Sequence, residues 1–244
     1  MKLGDRMKSY EEAARLYLTR RMPMIIRVDG KAFHTFTRKY EKPWDVDLRD
    51  AMNSAATSLV SEIQGAKIAY VQSDEISVLV TDYDSFVSEA WFNKAVQKVC
   101  SVSASIATMG FNRKLKELNP DYVMTACFDS RCFVIPKEDV CNYFVWRQQD
   151  AIRNSVQGLG QKYFSHKEMH KKNCEKVKEM LIAHSIIWDD CETWKKNGWC
   201  VIRENKEEII NGKPSIRSYT NPFWETPVFA EDRNFIERFV EIEN

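Results

Sequence analysis

Glycine, proline and long apolar runs are scarce in this chain of 244 residues. It holds 8 glycines and 7 prolines, which excludes a collagen-like or linker-rich architecture. No stretch approaches the roughly 20 apolar residues that span a membrane, and residues 1–21 lack the apolar segment of a signal peptide. The hydrophobic content of 44% excludes a disordered chain. We therefore expect a folded cytoplasmic protein that has no membrane partner.

Paired cysteines are also lacking. The chain has 7 cysteines, an odd number, and no two of them stand at the C-x-x-C spacing. This pattern argues against both a disulfide framework and a zinc ribbon. We expect reduced, mostly buried thiols, because free cysteine packs as a small hydrophobic side chain.

The overall charge gives no reason to expect a nucleic acid partner, since 36 Lys and Arg balance 35 Asp and Glu. The local distribution differs, because residues 145–180 hold eight basic and four acidic side chains. This basic segment also contains Trp146, Tyr163 and Phe164, and basic and aromatic side chains together can hold an RNA backbone. A solvated helix face is the alternative interpretation of the same charges.

Hydrophobic periodicity predicts an α+β fold for the first part of the chain. The predicted strands and helices over 24–135 follow the order β, α, α, β, β, α, β, which is close to the split βαβ plan of an antiparallel sheet with helices on one face. A further helix precedes them. The predicted elements are a helix over 9–21, a strand over 24–28, helices over 31–40 and 46–63, strands over 67–72 and 76–80, a helix over 85–108 and a strand over 122–135.

The pattern changes after Pro136. Helices are predicted over 137–157 and 165–184, a hairpin with irregular structure over 198–229, and a final helix over 231–241. We therefore expect a catalytic domain over 1–136, and over 137–244 a basic, mainly helical region with a short hairpin that packs on it.

Acidic residues stand at two predicted strand ends. Asp29-Gly30 closes the first strand, and Asp74-Glu75 lies at the bend of the following hairpin. In a split βαβ sheet these strands are neighbours, so the carboxylates of Asp29 and Asp74 can share a cation. Mg²⁺ takes one or two carboxylates together with water and phosphate oxygens, and two such ions serve phosphoryl or nucleotidyl transfer. Ordinary turn residues are the alternative interpretation.

Lys31 and His34 follow directly, at a predicted helix start. Free backbone N–H groups and the helix dipole favour phosphate at such a position, and the two side chains would add charge. In the alternative interpretation, Lys31 is solvated and His34 lies between two aromatic side chains of the core.

The stretches IIRVDGKAFHTFTRKY and IAYVQSDEISVLV resemble the tRNA-His guanylyltransferase superfamily. Members of that family use a polymerase-like palm to add nucleotides to the 5′ end of tRNA, in the 3′-to-5′ direction. The resemblance implies a palm fold for 1–136, two Mg²⁺ ions, ATP and GTP as substrates, tRNA as partner, and a homotetramer. It assigns catalysis to Asp29, Asp74 and Glu75.

The resemblance also implies particular contacts. The metal ligands would be Asp29, the Gly30 carbonyl and Asp74. The nucleotide contacts would be Arg27, Asp29, Gly30, Lys31, Ala32, Phe33, His34, Ser73, Asp74 and Lys98, with backbone amides of the Lys31–His34 stretch on the triphosphate. The tRNA contacts would be Arg147, Arg153, Asn154, His166, Lys167, Lys171 and Lys172.

The second half is similar to the bacterial and archaeal guanylyltransferase-like branch. The motif at 146–150, WRQQD, is followed by Ala151, where tRNA-His-specific enzymes carry a histidine, and FSHKE follows at 164–168. This branch favours templated repair of 5′-truncated tRNA over addition of a single G. Three alternatives stay open: single-G addition to tRNA-His, a palm-type nucleotide cyclase, and an RNA-binding protein without catalytic activity.

Overall fold

An antiparallel β-sheet flanked by helices forms the body of the protein. The computed structural model describes residues 1–210 and 213–241, and within them six strands pair in the order β4-β1-β3-β2-β5-β6. The strands are β1 (Met24–Gly30), β2 (Ala66–Gln72), β3 (Glu75–Val80), β4 (Phe128–Val134), β5 (Trp199–Ile210) and β6 (Lys213–Phe223). The helices are α1 (Leu3–Ala13), α2 (Phe33–Phe36), α3 (Val46–Glu62), α4 (Val96–Leu118), α5 (Lys137–Tyr163), α6 (His166–Met169), α7 (Cys174–Ala183), α8 (Thr193–Asn197) and α9 (Asn234–Glu237).

The first four strands confirm the predicted α+β class. Their order, β4-β1-β3-β2, with every neighbouring pair antiparallel, is that of the split βαβ plan. Strand β3 is buried along its whole length, because its apolar run is covered on both faces of the sheet.

The two faces of the sheet carry different helices. On one face, Ile26 and Val28 of β1 pack in a core with residues of α3 and α4. On the other face, Ile25 packs with Tyr143 and Phe144 of α5. The expectation of helices on one face was therefore incomplete, because α5 of the second half buries the opposite face.

The second half also lengthens the sheet. Strand β5 pairs with β2, and β6 pairs with β5, so the predicted hairpin within 198–229 is present as two long strands. Asn211 and Gly212, between the two strands, lie outside the described residues. The predicted boundary at residue 136 stays a prediction, and both sides of it contribute strands to one sheet.

Residues with left-handed backbone angles change the bounds of two predicted helices. The helix predicted over 85–108 is α4, which begins at Val96 because Phe92, Asn93 and Lys94 all have left-handed φ angles of 48°, 50° and 56°. The helix predicted over 165–184 is split into α6 and α7. Lys171 between them has a φ of 57°, and left-handed residues interrupt a right-handed helix.

The ends of the chain also differ from the predictions. The helix predicted over 9–21 is α1, which ends at Ala13; beyond it Tyr17 forms a bridge with Ala95, and Leu18 N–H donates to the Lys94 carbonyl. The predicted final helix is reduced to the four residues of α9. Among the described residues, no helix has the length and apolar character needed to cross a membrane.

Candidate active site

The two predicted acids meet where β1 ends and β3 begins. In the antiparallel register of these strands, Asp29 lies opposite Glu75. The Gly30 N–H donates to the Asp74 carbonyl over 3.1 Å, and Asp74 itself lies in the two-residue turn between β2 and β3. Strand pairing therefore brings together residues that are 45 positions apart in the sequence.

Strand β4 adds two charged groups from the other side of β1. Asp129 lies opposite Asp29 in the register. Arg131 Nη2 lies 3.9 Å from Asp29 Oδ2 and 3.0 Å from Asp129 Oδ1. Neither residue was predicted, because their contribution depends on β4 being the neighbour of β1.

The electrostatics of the acids favour a bound cation. Burial raises the pKa of Asp29, and the charges of Glu75 and Asp129 raise it further, against the lowering effect of Arg131. Burial also raises the pKa of Asp74, while the Ser73 hydroxyl opposes that change. Carboxylates that are partly desolvated beside like charges are stabilised when a cation neutralises them.

This donor set fits Mg²⁺. Two carboxylates and the nearby Gly30 backbone supply oxygen, the ligand that Mg²⁺ prefers. No group of three or more His, Cys, Asp or Glu side chains suited to a metal occurs in 1–210 and 213–241. An ion at Asp29 and Asp74 would therefore depend on water and substrate oxygens for its remaining ligands, as Mg²⁺ commonly does.

The loop after β1 is fixed by aromatic packing. The Phe33 ring centroid lies 5.0 Å from that of Phe36, 5.1 Å from that of Phe128 and 5.4 Å from that of Phe111. A Cβ at Gly30 would lie 2.2 Å from Phe33 Cδ2, so glycine is required there by a close approach. The Phe33 ring is therefore a core side chain that holds the loop from beneath.

One predicted phosphate contact needs correction. The Lys31 N–H donates to the Cys127 carbonyl over 2.8 Å, so this amide is already paired and does not face a phosphate. The Lys31 side chain is exposed, and the His34 side chain is exposed as well. His34 therefore does not lie between core aromatics, which excludes the alternative interpretation for this residue.

A cavity of about 430 Å³ opens beside Asp74. The residues that line it include His34, Asp74, and Lys195 and Lys196 of α8. The two lysines come from the second half of the chain and were not predicted, because no local pattern places α8 next to the β2–β3 turn. The volume of the cavity lies within the range of small-molecule sites. Its lining combines the carboxylates of Glu41, Asp45 and Asp74 with lysine and arginine side chains.

Glu75 forms an ion pair with Arg147, a residue that the sequence predicts as a tRNA contact. Arg147 Nε lies 2.7 Å from Glu75 Oε1, and Arg147 Nη2 lies 2.8 Å from Glu75 Oε2. Both side chains are 9% exposed. The burial contradicts the prediction that Arg147 contacts tRNA, since its guanidinium is used inside the protein.

Comparison with known proteins decides the family. The family model of tRNAHis guanylyltransferase matches residues 4–136. The chain belongs to this family. A bacterial tRNA(His) guanylyltransferase-like protein in complex with ATP superposes with a TM-score of 0.90 and 42% identity, over 99% of this chain and 100% of that one. A bacterial guanylyltransferase-like protein in complex with GTP gives a TM-score of 0.82 and 41% identity, over 98% of both chains.

Curated relatives are matched over a shorter range. The tRNA(His) guanylyltransferase of Schizosaccharomyces pombe is 34% identical over 155 residues, which cover 61% of this chain and 56% of that protein. The chain spans about half the length of the curated guanylyltransferases that it matches. Family membership confirms the resemblance of the two motifs, and with it the predicted class of nucleotidyltransferase.

The remaining predicted contacts of this guanylyltransferase-family chain with nucleotide and tRNA differ in how exposed they are. Arg27 lies on β1 opposite Ser77 and Arg131, and its Nε is buried without a hydrogen-bond partner. Lys98 is exposed in the first turn of α4, 5.6 Å from the centre of the Phe92 ring. The other predicted tRNA contacts are all exposed; they are Arg153, Asn154, His166, Lys167, Lys171 and Lys172.

Proposed function

We propose that this protein adds nucleotides to the 5′ end of tRNA in the 3′-to-5′ direction. The observation that carries the proposal is the pair of partly desolvated carboxylates, Asp29 and Asp74, in a chain of the guanylyltransferase family. Asp74 also lines a cavity whose wall includes Lys195 and Lys196. The similar bacterial proteins were solved with ATP and with GTP, which supports both nucleotides as substrates.

The reaction joins the incoming nucleotide to the RNA end. The 3′-hydroxyl oxygen of the nucleotide attacks the α-phosphorus of the activated 5′ end and loses its proton, and AMP or pyrophosphate departs as the old phosphoanhydride bond breaks. Lys195 and Lys196 provide positive charge at the cavity for the triphosphate, and the His34 ring lines the same cavity. Such positioned cations stabilise the charge that develops in the transition state.

Asp29, Asp74 and the Gly30 carbonyl would hold Mg²⁺. When bound, Mg²⁺ neutralises the phosphate oxygens and assists ionisation of the attacking hydroxyl. The protein's own share is to keep the two carboxylates at adjoining strand ends and to exclude part of the solvent around them. Two ions, a homotetramer and a cytoplasmic location stay expectations from the resemblance.

Ala151 supports the repair activity over single-G addition. It stands where tRNA-His-specific members carry histidine, and it is buried at the wall of the cavity. A methyl group there cannot donate a hydrogen bond, so we propose templated addition to 5′-truncated tRNA, which relies on base pairing with the opposite strand.

A labelled 5′-truncated tRNA, incubated with Mg²⁺, ATP and GTP, tests the proposal. We expect growth at the 5′ end, and loss of that growth in the Asp29→Asn and Asp74→Asn variants. Asp121→Asn, which changes an exposed acid outside the site, is the matched control and should keep wild-type activity. A cyclic product formed from nucleotides alone would favour a cyclase, and binding of RNA without extension would favour a non-catalytic protein.

RNA contact by the basic segment has its own test. Lys171 and Lys172 are exposed between α6 and α7, so we expect the Lys171→Glu, Lys172→Glu double variant to weaken tRNA binding. Each lost phosphate contact also lowers the slope of log K against log salt by about 0.7 to 0.9. The same change at Arg113 and Lys114, on α4, is the control, and an unchanged slope at 171 and 172 would contradict contact there.

A further inference from the structure

Arg147, in the second half of the chain, contacts Glu75 at the start of β3. It lies on α5, outside the residues 4–136 that match the family model. Its guanidinium donates hydrogen bonds to both carboxylate oxygens of Glu75, over 2.7 and 2.8 Å. A planar fork on a carboxylate fixes both distance and orientation, which an ammonium group cannot do.

Further contacts fix both partners of this pair. Arg147 Nη2 also lies 3.1 Å from Asp150 Oδ2. The Ser77 hydroxyl donates to Glu75 Oε1 over 3.4 Å and shares a hydrogen bond of 2.8 Å with the Tyr143 hydroxyl. Each oxygen of Glu75 therefore has a partner that belongs to the sheet or to α5, and the carboxylate is held on that side.

The position of Glu75 makes this restraint important. Glu75 follows Asp74 directly in the chain and lies opposite Asp29 in the strand register. Glu75 is therefore a direct neighbour of both aspartates, of Asp74 along the chain and of Asp29 across the strand pair. A carboxylate at this point that lacked Arg147 would compete with Asp29 and Asp74 for the ion.

We propose that Arg147 is a positioning residue for nucleotidyl transfer: it keeps Glu75 out of the metal shell, so that Asp29 and Asp74 alone provide the carboxylate ligands. The inference rests on the proposed function for the chemistry it serves. The second half of the chain thereby controls the geometry of the catalytic strand ends through one buried ion pair.

The test measures metal binding and turnover in the full-length protein. Mn²⁺ titrations followed by electron paramagnetic resonance report metal affinity without the reaction. We expect Arg147→Met to tighten Mn²⁺ binding by about tenfold, the effect that one nearby charge has on the proton affinity of a carboxylate. Its kcat should fall about 100-fold, the loss that follows a 1 Å misplacement of reacting groups, with the KM for nucleotide unchanged.

Two more variants separate positioning from folding. The Glu75→Gln, Arg147→Met double variant removes both charges, so its Mn²⁺ affinity should return to the wild-type value. Arg147→Lys keeps the charge without the fork, so its Mn²⁺ affinity and its kcat should both lie between those of the wild type and of Arg147→Met. Arg113→Met, on the exposed surface of α4, is the control for Mn²⁺ binding.

The outcomes distinguish this inference from the proposed function. An inactive wild-type protein would overturn the proposed function, while the Mn²⁺ titrations would still decide the role of Arg147. Wild-type Mn²⁺ affinity in Arg147→Met would overturn the inference, and so would wild-type turnover in the same variant. If Arg147→Met does not fold, as circular dichroism would show, a double variant that folds but binds Mn²⁺ more tightly than the wild type would also overturn it.

Discussion

Replacing Gly30 by alanine tests how the loop after β1 is held. The added Cβ would lie 2.2, 2.5 and 2.6 Å from three atoms of the Phe33 ring. The ring has little room to retreat, because Phe36, Phe111 and Phe128 surround it at centroid distances of 5.0 to 5.4 Å. The substitution therefore forces the loop and the ring apart.

The expected cost follows from the behaviour of overpacked cores. Inserting a methyl group into a filled interior costs about 1–3 kcal/mol. For a chain of this length, each kcal/mol lowers Tm by about 2–4 °C, so the expected drop for Gly30→Ala is roughly 2–12 °C. Displacement of the loop by about 1 Å would also reduce kcat about 100-fold.

Thermal unfolding and the 5′-extension assay measure these effects. Gly4→Ala is the matched control, because a Cβ at Gly4 meets no atom within 4 Å, and its Tm and activity should stay at or above wild-type values. Adding Phe33→Leu to Gly30→Ala should restore part of the lost Tm, since the ring edge that clashes is removed. An unchanged Tm and an unchanged kcat in Gly30→Ala would refute the reasoning.

Two further predictions concern buried groups. Lys94 donates to Asp82 over 2.9 Å with both side chains 1% exposed, so Lys94→Met should lower the free energy of unfolding by about 3–5 kcal/mol in urea. Exposed Lys98→Met is the control, and equal losses in both variants would contradict the prediction. Burial raises the pKa of Cys132 to about 12, so iodoacetamide at about pH 8 should label exposed Cys127 well before it, because the thiolate is the reactive form. Equal labelling of Cys127 and Cys132 by mass spectrometry would show that the two thiols do not differ in this way.

The elements nearest to the site were predicted most accurately. Helix α3 and the β2–β3 hairpin lie within two residues of their predicted bounds, because apolar periodicity and the Ser73-Asp74 turn are local signals. The start of α4 was missed by eleven residues. It depends on three left-handed residues at 92–94 that are supported by the buried Lys94–Asp82 pair, and a contact of this kind leaves no local pattern.

Fewer charges of the basic segment are available to RNA than its composition suggests, because one of them pairs with a residue far away in the sequence. Arg147 counts as one of its eight basic residues, yet its charge is matched inside the protein by Glu75. The two residues are 72 positions apart. The composition shows that the arginine is present, whereas only the structure shows that its side chain faces Glu75 and not the solvent.

Local sequence was sufficient to place Asp29 and Asp74 at neighbouring strand ends, because alternation predicts the strands and the split βαβ order makes them adjacent. The motifs around these acids also indicated the family to which the chain belongs. Packing decided the rest: α5 covers the second face of the sheet, α8 brings two lysines to the cavity, and Arg147 restrains Glu75. These arrangements join residues from distant parts of the chain, and their energy comes from burial and charge pairing that exist only once the helices have docked on the sheet.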